Sequence, residues 1–302
     1  MNSIGNLLEE SVSERLLLDP RKVKLTTRSE VAVHRLLPHA HLRRIGAWVF
    51  VDHFGPTDHV EGMTVAQHPH TGLQTVTWLL SGKIDHRDSL GTSQLIEPGQ
   101  LNLMTAGNGV AHSERSLPTD QPLHAVQLWL ALPESVRDSA PAFQHLSSFQ
   151  NVTHHHMRAK VFIGELLGQQ SAAVVHSPLV GAEIELDGRV ALPLNPNWEH
   201  GILLVSGSLS ADSQSLQPTQ LIYLQKGVSE VKLEGISARA IFIGGEPFVE
   251  PLVMWWNFIG RSHDEIVAMR ERWNARDYPG FADDVGGWLP APELPSVTLK
   301  AR

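Results

Sequence analysis

His68-Pro69-His70-Thr71-Gly72-Leu73-Gln74-Thr75-Val76-Thr77-Trp78-Leu79-Leu80-Ser81-Gly82 decides the fold. Two histidines one residue apart run into a β-branched, aromatic and apolar segment that stops at a Ser-Gly turn, which is the pattern of a strand and not of a helix. Side chains at i and i+2 share one face of a strand, so His68 and His70 point to the same side. Forty-two residues on, Val110-Ala111-His112-Ser113-Glu114 repeats the spacing with His112 and Glu114. Two strands that each give two same-face ligands make a compact site of three imidazoles and a carboxylate.

Outward from this stretch, short apolar segments recur between turn residues: Trp48-Val49-Phe50-Val51, Gln94-Leu95-Ile96, Leu101-Asn102-Leu103-Met104 and Ala125-Val126-Gln127-Leu128-Trp129-Leu130. Many closely spaced strands without long helical periods between them predict antiparallel barrels or sandwiches, not a βαβ sheet. A second strand-rich block echoes the first. Leu204-Val205-Ser206-Gly207 follows Leu79-Leu80-Ser81-Gly82 at an offset of about 125, while Pro218 follows Pro98 and Gly227 follows Gly107 at about 120. Two divergent copies of one β module account for this. The expected organisation is an arm over 1–28, a first barrel with the metal site over 29–135, a connector over 136–158, a second barrel without metal over 159–250, and a helix and tail over 251–302. The helix is expected after Ser262-His263-Asp264-Glu265, which has the form of a capping box, with Ile266, Met269 and Trp273 at helical spacing.

Composition narrows the function. The chain has 302 residues and a formal net charge of −8, so nothing concentrates it on phosphate backbones or anionic lipid. Neither direct nucleic-acid binding nor membrane attachment is expected. Cysteine is absent, which removes thiolate metal sites, iron–sulfur clusters and cysteine nucleophiles, whereas histidine is abundant at 17. The opening residues include Glu9 and Glu10 where a secretory signal would need a basic start and an unbroken apolar run, so a cytoplasmic location is expected. Nucleotide-binding glycine loops, His-Glu-x-x-His and Gly-x-Ser-x-Gly do not occur.

His68, His70, His112 and Glu114 form a borderline-to-hard donor set that suits Fe(II), Mn(II), Ni(II), Cu(II) or Zn(II) without choosing among them. With six-fold coordination, two positions would remain for water, dioxygen or a substrate oxygen. The other histidines carry less. His39-Ala40-His41 reads as a solvated turn and His154-His155-His156 as part of a surface connector, while His53 and His86 read equally as structural or supporting groups and as direct participants in the chemistry. Asp52 and Glu97 read as solvated turn residues, and Trp255-Trp256 as aromatics buried between barrel and helix.

The spacing also carries a resemblance. Gly62, His68, His70, Gln74 and Gly82, followed by Pro98-Gly99 and His112, resemble the two cupin motifs. More narrowly, the stretch 68–82, His86-Arg87-Asp88-Ser89-Leu90-Gly91 and Met104-Thr105-Ala106-Gly107-Asn108-Gly109 continuing to Glu114 are similar to the signature of the pirin family. The resemblance implies an all-β bicupin, two antiparallel double-stranded β-helix barrels with a C-terminal α-helix. Its N-terminal barrel would hold a metal, usually iron, on His68, His70, His112 and Glu114. It also implies a quercetin 2,3-dioxygenase-like oxygenase acting on a flavonol or another enolisable or phenolic small molecule. The alternative is a redox-sensitive, non-enzymatic metal protein that binds a transcription or metabolic partner, and a metal-dependent isomerase is a third reading. Where many relatives carry Glu, this chain has Gln74, which cannot take a proton at neutral pH, so Gln74 and Glu114 are the candidate catalytic groups with Glu114 able to serve as ligand and base. In the second module the same offsets place Pro193, Asn195, Lys232 and Glu234 opposite the ligands, a set that holds no divalent ion.

Overall fold

In the computed structural model, residues 15–24, 32–57, 62–278 and 287–301 are described. They form two β modules and one helix. The first module has two sheets. The larger has the strand order Ala142–Leu146, Leu101–Thr105, Leu73–Ser81, Leu123–Ala131, Trp48–Thr57, Ala32–Leu37, Arg21–Lys24; the smaller runs Thr64–His70, Val110–Ser116, Ile84–Asp88, Ser93–Ile96. Buried Phe54, Leu79 and Ala125 of the larger sheet pack on Val65, Ile84 and Ile96 of the smaller, closing one end of the module. The other end holds the candidate site.

The second module is one sheet in which Leu179–Pro193, Glu199–Ala211 and Glu230–Gly245 are long strands bent at bulges, among them those at Leu186/Gly188 and Leu204/Ser206. Its interior is filled by aliphatic side chains, including Ile184, Leu192, Ile202, Leu204 and Leu233, with Phe242. Together the two modules make the bicupin architecture.

The modules meet through an apolar seam. Alternation along Leu73–Ser81 turns Thr75 and Thr77 into the first module and sends Val76 and Trp78 outward, where they join Phe162, Leu203, Ile241 and Ile243. The Trp78 ring stacks on Phe162 at 4.7 Å, and its indole N–H donates to Glu183 Oε2 at 2.7 Å. A buried aromatic with its polar handle satisfied contributes roughly 2–3 kcal/mol relative to exposure.

The ends of the expected segments need correction. The connector is partly sheet, since Ala142–Leu146 pairs with Leu101–Thr105 of the first module and Asn151–His154 with Met157–Leu166 of the second. Within the arm, Arg15–Leu18 crosses over to pair with Leu221–Leu224 of the second module. Such pairings cover strand edges that would otherwise expose unpaired backbone, a need the local pattern does not reveal.

The helix spans His263–Asn274, with the Ser262 hydroxyl accepting the Glu265 amide at 3.2 Å. The Glu265 carboxylate reaches past the cap to the Arg261 amide instead of to Ser262. Ile266, Met269 and Trp273 are buried against Ala111, Val253 and Phe258, so the helix lies over the first module. No helix among the described residues is long and apolar enough to cross a membrane.

Candidate metal centre

Three adjacent strands of the smaller sheet build the site. Val110–Ser116 lies between Thr64–His70 and Ile84–Asp88, with His112 opposite both His68 and Asp88, and Glu114 opposite His86. A bulge between His112 and Glu114 shifts the register against Thr64–His70. Each strand thus supplies an i, i+2 pair, and the third pair, His86 and Asp88, was present in the sequence at the same spacing.

One nitrogen from each of His68, His70 and His112 falls in a cluster whose members all lie within 4.8 Å of one another. The Nε2 atoms of His70 and His112 are 3.0 Å apart. Nδ1 of His68 lies 2.8 Å from the Ala66 carbonyl, which only accepts, so Nδ1 carries a proton and the neutral ring has its lone pair on Nε2. Burial holds His70 and His112 well below the usual imidazole range, and the neighbouring imidazoles push the same way. Neutral imidazoles are the form that ligates, so this donor set fits a divalent cation.

Glu114 is arranged differently from the expected four-ligand set. Its carboxylate belongs to a second cluster, with His86 and His112, within the same 4.8 Å limit. The Thr77 hydroxyl donates to Glu114 Oε1 at 3.2 Å. Burial raises the Glu114 pKa against the opposing pull of His86 and the Thr77 hydrogen bond, so this carboxylate is a better proton acceptor than an exposed one.

Gln74 is not in the site. The alternation that brings Thr75 and Thr77 inward turns Gln74 to the seam, where its amide donates to Thr105 Oγ1 at 2.9 Å and to the Val174 carbonyl at 3.1 Å. Gln74 is thus held away from the imidazole cluster, contrary to the expected catalytic role. Asp52 also departs from expectation, because it is buried mid-strand and accepts two hydrogen bonds of 2.8 Å from Arg35. Burial raises its pKa while the Arg35 guanidinium pulls it down. Glu97, by contrast, is partly exposed and pairs with Lys83.

The histidines open into a cavity of about 270 Å³ lined by Phe50, Asp52, Thr75, Gln127 and Trp129, with Arg35 and Lys24 also on its wall. Phe50 and Trp129 stack at 4.0 Å with an interplanar angle of 10°, and Arg35 lies over the Phe50 ring. The remaining wall comes from the far end of the chain: Trp256, Asn257 and Leu289. The Ile259 amide donates to the Thr71 carbonyl, and the Leu289 amide to the Gln67 carbonyl, so the C-terminal segments add to the edge of the strand that carries His68 and His70. Trp256 lines this cavity and is not wholly buried against the helix. Sequence spacing gave no signal for these C-terminal contacts.

The asymmetry between modules is visible in the side chains. Pro193, Asn195, Lys232 and Glu234, which the offsets place opposite the ligands, are exposed on the outside of the second module. Their neighbours Leu192, Leu194, Val231 and Leu233 fill its interior. His39 and His41 sit in a turn with a hydrogen bond between them, and the side chains of His155 and His156 are exposed.

Known proteins are similar to this chain over most of its length. A family model described as Pirin matches residues 28–130, and one described as the pirin C-terminal cupin domain matches residues 179–279. A Pseudomonas aeruginosa protein provisionally named a quercetin 2,3-dioxygenase is 41% identical over 272 residues, covering 88% of this chain and 86% of that one. A pirin-like protein from Caulobacter vibrioides is 32% identical over 290 residues, covering 92% and 99%. Among solved structures, a quercetin 2,3-dioxygenase from Acinetobacter baumannii superposes with a TM-score of 0.91 at 37% identity, over 95% of this chain and 97% of that one.

Proposed function

The chain belongs to the pirin family, and on that premise we propose that it is a metal-dependent dioxygenase, iron being the native metal, acting on a flavonol-like or other enolisable phenolic compound. The observation that carries this reading is the cluster of three imidazoles opening into a cleft with aromatic side chains on its wall. His68, His70 and His112 would hold the cation, with Glu114 beside them across His112. When bound, a ferrous ion supplies a Lewis-acidic centre and one-electron exchange with dioxygen.

The chain's own groups have distinct parts. The stacked Phe50 and Trp129 rings offer a flat apolar wall for a planar substrate, and Arg35, fixed by Asp52, can face an anionic oxygen on it. Glu114 takes the proton of the substrate hydroxyl, and Thr77 keeps the carboxylate aimed. Trp256 and Leu289 add apolar surface to the cavity wall. The names of the relatives support this substrate class. The partner that this reading requires is a small molecule. The redox-sensitive regulatory alternative comes from the family resemblance; Gln74 in place of Glu adds nothing to it, because Gln74 faces the seam.

The test is oxygen uptake by iron-loaded protein mixed anaerobically with a panel of flavonols and then exposed to air. Stoichiometric oxygen consumption with ring-opened product is expected. Absence of turnover with iron, and with Mn, Ni and Cu when the protein is loaded with each in turn, would retire the dioxygenase reading.

A further inference from the structure

The Ile84–Asp88 strand places two polar side chains behind the imidazole cluster. Asp88 is fully buried; its Oδ1 accepts the Leu90 amide at 2.9 Å and the Thr92 amide at 3.0 Å, and its Oδ2 faces His86 Nε2 at 3.3 Å. On the other edge of the same ring, His86 Nδ1 faces His112 Nδ1 at 3.4 Å. The His86 ring is held flat against Phe143, with centroids 4.7 Å apart.

We propose that Asp88 and His86 are positioning residues that set the tautomer and ring orientation of His112, an inference that rests on the metal reading above. A carboxylate only accepts, so His86 Nε2 must carry the proton that meets Asp88. In neutral His86 the lone pair then lies on Nδ1, and Nδ1 of His112 must donate to it. That leaves the His112 lone pair on Nε2, the atom 3.0 Å from His70 Nε2 and turned into the ligand cluster. One buried aspartate, anchored by two backbone amides, thereby dictates through two rings which nitrogen of His112 is offered to a cation. Outer partners of this kind raise metal affinity by about ten- to a hundredfold.

Two substitutions separate this role from simple packing. Asp88→Asn keeps the shape and the Oδ1 acceptor but puts an N–H donor against His86, which reverses both tautomers and turns a protonated Nε2 of His112 towards the cation. His86→Gln retains an acceptor for His112 and a donor for Asp88, whereas His86→Phe retains neither. Wild-type protein and the three variants are titrated with Co(II), Ni(II) and Zn(II) against a chelator. Imidazole ligands are counted by X-ray absorption, and the ring-nitrogen protonation of the zinc-loaded wild type is read by ¹⁵N NMR. Expected are about ten- to a hundredfold weaker binding in Asp88→Asn and His86→Phe with near wild-type binding in His86→Gln, an unchanged imidazole count, and protons on Nδ1 of His112 and Nε2 of His86. Equal affinity in all four proteins overturns the inference. So does loss of one imidazole in His86→Gln, which would make His86 a ligand. Failure of the wild type to take any cation would instead strike the metal reading itself. Should Asp88→Asn not fold, the contrast between His86→Gln and His86→Phe decides alone.

Discussion

His200 illustrates how single side chains tie this fold to pH. It is buried in the second module, stacked on Phe242 at 5.6 Å with its Nδ1 unpartnered, and burial pushes its pKa down to about 4. Because the unfolded chain protonates this imidazole near 6.5 and the folded chain only near 4, acid favours the unfolded state. The stabilisation is fully present above pH 6.5 and falls as pH drops through that window, the loss reaching roughly 3 kcal/mol by pH 4. His200→Gln should therefore have a shallower loss of stability on acidification, which urea unfolding at a series of pH values will show. Parallel slopes for both proteins would assign the acid sensitivity elsewhere. His53 and His124, whose Nε2 atoms lie 2.6 Å apart at the seam, act in the same direction as a pair, burial holding them near 3 and 4. These three histidines are as buried as those at the candidate site; spacing separates them, because none has a ligand-type residue two positions away on the same strand face.

At the level of elements, the duplicated turn gives the clearest comparison. Glu97-Pro98-Gly99-Gln100 and Gln217-Pro218-Thr219-Gln220 make the same hydrogen bonds: the Gly99 and Thr219 amides donate to the Leu79 and Leu204 carbonyls, and the Gln100 and Gln220 side chains accept from the Glu97 and Gln217 amides. Both third residues have φ +75°, which glycine tolerates and a β-branched residue does not. Thr219→Gly is expected to stabilise the protein by about 1 kcal/mol, read as a higher urea midpoint; a lower midpoint would mean that the threonine side chain outweighs its backbone strain. The strands and the repeat were legible because alternation and Pro-Gly turns are local signals, and the helix was legible from its Ser262 cap. The same alternation, applied strictly, separates Gln74 from Thr75 and Thr77; spacing to His70 alone did not. Strand exchange by Arg15–Leu18 and the return of Leu289 to Gln67 join residues more than 200 positions apart, and no local pattern encodes such pairings.

For the whole molecule, one fold used twice has been put to two uses. The second module fills its interior with aliphatic side chains and turns its outer apolar face to the seam, while the first keeps an open end lined by histidines and bordered by the C-terminal segments. Buried imidazoles without a cation to share are costly to retain, since each must be desolvated while neutral and partnered within the protein. The central claim is that the three imidazoles of the first module hold one divalent cation per chain. Metal content per chain, measured after anaerobic loading with Fe(II) and gel filtration for wild type and folded His70→Ala, tests it most directly. One equivalent in the wild type and a loss of most of it in His70→Ala is the predicted result; a full equivalent retained by His70→Ala, or no metal in the wild type, would contradict it.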